Sequence, residues 1–131
     1  NTGGSLTASS LALTVNPDAP FKLNLTGAAT VTTGACSSAY IFQIWDQYNN
    51  ISPLTGNTLF NLTGNGAGTF YSDVACTGGM NITSLNLLTG QTSGTYYFKD
   101  PTAQALIFNV DDVGAKSYGQ ASSEIVASIL I

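Results

Sequence analysis

GACSSAYIFQIWDQYNN, residues 34–50, decides the fold class. Cys36 leads into a run where Tyr40, Phe42 and Ile44 share one side of an extended ribbon, because successive side chains on a strand point to opposite faces. Ile41, Gln43 and Trp45 then fall on the other side. The run stops at Asp46, Gln47, Tyr48, Asn49 and Asn50, a stretch whose short Asp and Asn side chains bond to nearby backbone and so terminate strands. Asn49 lies in this turn, and Asn tolerates the left-handed region.

The same grammar extends in both directions. Leu11, Leu13 and Val15 alternate with small or polar neighbours, Asn16 to Pro20 breaks the run, and Phe21, Leu23 and Leu25 resume it with Lys22 and Asn24 facing outward. That pattern predicts a first strand split by a proline kink, since proline cannot donate to a ladder. Downstream, Phe60 and Leu62 oppose Leu59, Asn61 and Thr63; Phe70 begins a short aromatic strand ending at Asp73. Ile82 with Leu85 and Leu87, Tyr96 with Phe98, and Leu106 with Phe108 and Val110 continue the series, and 121–131 is rich in Ile and Val. Turn residues separate these runs, which predicts an all-β chain of about eight or nine strands in a two-sheet antiparallel sandwich with almost no helix. Residues 1–8 are small and polar and read as a linker, leaving 9–131 as a single domain. The similar stretches GTFYSD (68–73) and GTYYFKD (94–100) read as one strand-and-turn solution reached twice rather than as a duplication.

Composition narrows the class of function. A chain of 131 residues buries roughly two thirds of its unfolded surface around one core without needing a metal or cofactor. Charged residues make up only 8%, there is no histidine, and the net charge is −4. Lys22, Lys99 and Lys116 do not form the clustered basic footprint that nucleic acid requires, nor one suited to an anionic membrane. No apolar run approaches the ~20 residues of a membrane-spanning helix. Asn1 begins no signal peptide, so any targeting sequence is expected elsewhere in a longer protein. Such weakly charged, Ser-, Thr- and Asn-rich chains are typical of secreted or surface-displayed proteins.

Cys36 and Cys76 read as a disulfide, which in the chain-entropy model stabilises a fold of this size by about 3–4 kcal/mol. Two cysteines without histidine do not make a tetrahedral zinc site.

Three stretches, GACSSAYIFQIWDQYNN (34–50), GTFYSDVAC (68–76) and GTYYFKDPTA (94–103), together resemble the bacterial immunoglobulin-like domains of large surface and adhesin proteins, of the broad invasin and intimin type. The cysteine-bearing variant with an aromatic-Lys-Asp strand end is similar to repeats in giant cell-surface proteins of Gram-negative bacteria. The resemblance covers roughly residues 10–112 and implies an immunoglobulin-like spacer or tip module of an adhesive fibre, with no catalytic residues. The partners it implies are neighbouring domains of the same chain and a protein or glycan on another cell.

Trp45 is the most informative side chain, because strand parity turns its indole away from the core. Either a neighbouring strand, loop or subunit covers it, or it contacts a partner or glycan together with Tyr48, Tyr71 and Tyr97. A carbohydrate-binding module using these aromatics is the alternative function. The carboxylates Asp18, Asp46, Asp73, Asp100, Asp111, Asp112 and Glu124 mostly end strands and read as turn caps, with calcium at a domain junction as the other reading. Asp111 and Asp112 are adjacent and on a strand cannot converge as a glycosidase pair would. Without histidine, the Ser-His-Asp arrangement and the common zinc hydrolase sites are excluded. Lys22 and Lys99 fall on outward parity, which disfavours an internal isopeptide crosslink. The sequons at Asn24, Asn50, Asn61 and Asn81 do not decide the source.

The sequence thus predicts a non-catalytic adhesion or stalk module on a bacterial outer surface, without cofactor or metal and without membrane insertion. Its weakly charged, apolar-rich surface is also compatible with a homo-oligomer.

Overall fold

The computed structural model describes residues 8–113 and the backbone of residues 125–130. Its strands are β1 (Lys22–Thr26), β2 (Thr30–Thr32), β3 (Tyr40–Trp45), β4 (Thr58–Thr63), β5 (Thr69–Tyr71), β6 (Asn81–Ile82), β7 (Ser84–Leu87), β8 (Ser93–Lys99), β9 (Ala105–Val113) and β10 (Ile125–Leu130). They form two five-stranded sheets, ordered β1-β3-β8-β5-β6 and β2-β10-β9-β4-β7, and no helix occurs among the described residues. This is an all-β, immunoglobulin-like two-sheet sandwich.

The architecture agrees with the sequence expectation of about eight or nine strands; ten elements result because on each flank one run is divided as it crosses between sheets, β1 passing into β2 and β6 into β7. The sandwich is antiparallel except for one parallel pairing, β2 with β10. Both crossings have local causes. At the first, a side chain on Gly27 would meet the Tyr40 ring at 2.2 Å, so only glycine lets the chain turn against that ring. The Tyr40 hydroxyl donates to the Ala28 carbonyl at 2.7 Å and fixes the crossing. At the second, the Leu62 N–H donates to the Thr83 carbonyl, holding the single residue between β6 and β7 to the edge of β4.

The core is aromatic and spans the two layers. Phe108 of β9 projects from one sheet into a socket of four rings from the other, with centroids 5.1 Å from Tyr40, 5.2 Å from Phe70, 6.3 Å from Tyr96 and 4.8 Å from Phe98, all four in edge-on geometry. A second contact across the layers joins Phe42 to Phe60 at 5.1 Å. Phe42 lies opposite Gly94 of β8, where an added Cβ would sit 2.3 Å from its ring. Gly94 therefore gives the Phe42 ring room to lie across the neighbouring strand. Tyr40, Phe42, Ile44, Phe60, Tyr96, Phe98 and Phe108 are completely buried, as the alternation of β3, β4, β8 and β9 requires.

The expected first half-strand does not form. Leu11, Leu13 and Val15 lie outside any strand and are 88, 79 and 84% exposed, while Leu23 and Leu25 of β1 are buried. Phe21, expected to share their face, is also exposed and precedes β1, although its N–H already donates to the Trp45 carbonyl. The cause is the segment between the two runs. Asp18 donates its N–H to Asp46 at 3.0 Å and its carbonyl accepts the Ser52 hydroxyl, and two prolines flank this anchor. The chain is pinned there, and the residues before it meet no ladder among the described residues.

Candidate functional site

The outward face of the sheet containing β3 carries the aromatic residues singled out from the sequence. Trp45 is half-buried; its indole N–H donates to Gln43 Oε1 at 3.2 Å, and the Lys22 ammonium lies 5.9 Å from the ring centroid on the neighbouring strand. Lys22 in turn donates to Asn49 Oδ1. The indole is thus partly covered from within its own domain by a strand neighbour and by the turn that follows β3. Tyr48 stands at the tip of that turn, 69% exposed, and Asn49 adopts φ 69°, the left-handed conformation expected of it.

Tyr71 of β5 and Tyr97 of β8 sit directly opposite each other and are half-buried. They form a second group. The register Tyr40 to Tyr96 sets Tyr97 level with Ala39, and Trp45 lies six residues further along, about 20 Å at strand rise. The four aromatics therefore make two separate patches on one face, Trp45 with Tyr48 and Tyr71 with Tyr97.

Buried carboxylates organise the turns. Asp46 is fully buried and accepts from the N–H groups of Asp18, Tyr48 and Asn50 and from the Asn50 side chain, at 2.8 to 3.1 Å. Desolvation pushes its pKa up, but the bonds from Asn50, Asp18 and Tyr48 outweigh it and hold the carboxyl below its ordinary value. Asp73 is held low as well, chiefly by the Thr77 hydroxyl at 2.5 Å, against some desolvation, with further help from the Thr77 N–H. Asp100, also fully buried, accepts from the Thr102 N–H and from Gln104 Nε2. Asp111 and Asp112 of β9 lie opposite Asn61 and Phe60 and face opposite sides of their sheet. Glu124 and Lys116 lie outside the described residues. Among the described residues no three His, Cys, Asp or Glu side chains gather into a metal-binding group.

Burial pushes the Tyr40 phenol up to about 12, and burial together with Tyr40 raises Tyr96 too. Both rings stay neutral at any physiological pH and serve packing.

Cys36 and Cys76 form the expected disulfide, with Cα atoms 5.6 Å apart. It joins the loop before β3 to the loop between β5 and β6. The first of these is itself laced to the end of β8: Ser37 N–H donates to the Phe98 carbonyl, and Phe98 N–H to Ser37 Oγ.

Sequence reasoning missed two features. The knot of Asp18, Asp46, Gln47 and Ser52 joins residues far apart in the chain, and only Asp18 between Pro17 and Pro20 and Ser52 before Pro53 hinted at it. The other is a half-open groove of about 310 Å³ beside β5 and β6, lined by Asn65, Gly68, Thr69, Phe70, Asn81, Ile82 and Thr83.

No protein-family model matches the chain, and no curated protein is similar to it in sequence. Among solved structures, it is similar to domains 4 and 5 of the S-layer protein SbsC, with a TM-score of 0.52 and 15% identity over 88% of this chain and 54% of that one. The chain thus spans about half the length of that structure. It also matches the ASH/PapD-like domain 7 of human CEP192 at a TM-score of 0.44 and 11% identity, over 97% of this chain and 96% of that one. At these identities the S-layer likeness is one of fold, and it agrees with the sandwich described above.

Proposed function

We propose that this chain is a non-catalytic structural domain of a bacterial cell-surface or fibre protein, standing as a stalk repeat or tip that contacts other cells or proteins. The observation that carries this reading is the employment of its acidic side chains. Asp18, Asp46, Asp73 and Asp100 are each engaged in fastening turns, while the core aromatic rings are locked between the two sheets and a disulfide ties the loop before β3 to the loop between β5 and β6. A disulfide suits an oxidising exterior, and the fold likeness to an S-layer protein supports the same setting. Loops and the outward face of the β3 sheet are the surfaces available to neighbours. Immunogold labelling of intact producing cells with antibody to this domain tests the reading. Label on unpermeabilised cells is expected; label appearing only after permeabilisation overturns it.

A carbohydrate-binding module draws less support from the geometry, because Trp45 is capped by Lys22 and the two aromatic patches stand about 20 Å apart. Binding on a glycan array that is lost in Trp45→Ala would reverse that preference.

A further inference from the structure

Two features of the molecule match each other without meeting. The first is the arm before β1. Leu11, Leu13 and Val15 keep strict strand alternation, are almost fully exposed, and take part in no strand. The second is the flank formed by β6 and β7. Ile82 and Leu85 pack against the core there but remain half-covered, and the groove with Phe70 at its base opens beside them.

The backbone of that flank is also unfinished. The Leu62 N–H donates to the Thr83 carbonyl, so along β7 the groups of Leu85 and Leu87 turn toward β4, and those of Ser84 and Asn86 turn away. Among the described residues β7 has β4 as its sole strand neighbour. Natural edges are usually guarded by lysine, proline or inward charge. Here Thr77 to Phe98 contains no charged residue and no proline, and residues 1–16 contain none either.

We propose that residues 9–16 of one copy add as a strand to the β7 edge of a second copy, turning Leu11, Leu13 and Val15 toward Leu85 and the groove over Phe70 and Ile82. The lengths are compatible: eight arm residues extend about 26 Å, enough to cover the roughly 13 Å of β7 and reach past it to the groove beside β6. The arm cannot make this contact within its own domain. It leaves the sheet beside β1, four strand spacings or about 19 Å from β6, and crossing that distance uses most of its length before any pairing begins. Asp18, tied to Asp46, Gln47 and Ser52, holds its base in place. Because arm and edge occupy opposite flanks, the contact is head-to-tail and a joined pair keeps one free arm and one free edge, so copies add in series.

The inference deepens the structural reading above by naming a partner. Surface labelling does not depend on self-association, so failure of one is distinguishable from failure of the other. The test is sedimentation velocity on the full chain over a wide concentration range, with two variants checked for folding by circular dichroism. One carries Leu11→Asp and Leu13→Asp; the other carries Asn86→Pro, or Ser84→Pro should the first not fold, since proline is tolerated where an edge N–H points outward. The expected results are concentration-dependent association of the unaltered chain, monomers for each variant alone, and a 1:1 heterodimer that grows no further when the variants are mixed. A chain monomeric at every concentration, variants that associate like the parent, or a mixture that stays monomeric overturns the proposal.

Discussion

Leu11, Leu13 and Val15 form one alternating ribbon and Leu23 with Leu25 another, only a few residues later in the chain, yet the first is exposed and the second is buried at 4 and 3%. Local pattern does not distinguish them. Leu23 and Leu25 lie opposite Ile44 and Phe42 of β3, and a facing sheet closes over them. The earlier ribbon, held off by the Asp18 knot, has neither neighbour among the described residues. Alternation nominates a strand, and a second backbone elects it.

If burial between the two sheets is what separates the two ribbons, the severest damage should come from emptying the central contact across the sheets. Phe108→Ala, which empties the four-ring socket, is expected to cost about 3–5 kcal/mol in urea denaturation. Leu25→Ala, within the buried ribbon, should cost about 3 kcal/mol by the same assay. Cys36→Ser with Cys76→Ser should lower stability by about 2–4 kcal/mol, leaving the exposed ribbon unaffected in limited proteolysis.

The knot that holds the ribbons apart and the turn that Asp73 caps share a pH signature. Asp46 and Asp73 have folded-state pKa values below their ordinary 3.8, so the stabilisation they provide is complete above that value and is lost as pH falls through the lower folded values. A plot of urea midpoint against pH should be level near neutrality and drop in the acid range below about 4, with a shallower drop in Asp46→Asn. The smallest effect belongs to the exposed ribbon: Leu13→Ala should change the stability of the dilute monomer by no more than about 0.5 kcal/mol. A loss as large as that of Leu25→Ala would mean the arm packs on its own domain.

Much of the core was legible in the sequence. Tyr40, Phe42 and Ile44, Phe60 and Leu62, Tyr96 and Phe98, and Leu106, Phe108 and Val110 are all buried as their parity requires, because period-two patterning is a property of the strand itself. The disulfide and the left-handed Asn49 were legible for similarly local reasons. Register was not. That Trp45 and Tyr97 share a face follows from parity, but their separation depends on how β3 slides against β8, a relation between distant segments. The strand crossings at Gly27 and Thr83 escaped notice on the same account, since a sheet change leaves alternation nearly intact.

The bridge between Cys36 and Cys76 also sets how far the molecule gives way under load. Forty positions separate its two ends, a stretch that drawn straight would measure about 130–140 Å but in the bridged form spans 5.6 Å between Cα atoms. Tension applied on either side of it bypasses β3, β4 and β5, which cannot contribute slack until the sulfurs part. A tether built from such domains therefore has a ceiling on its stretch written into covalent chemistry, and a reductant would raise it.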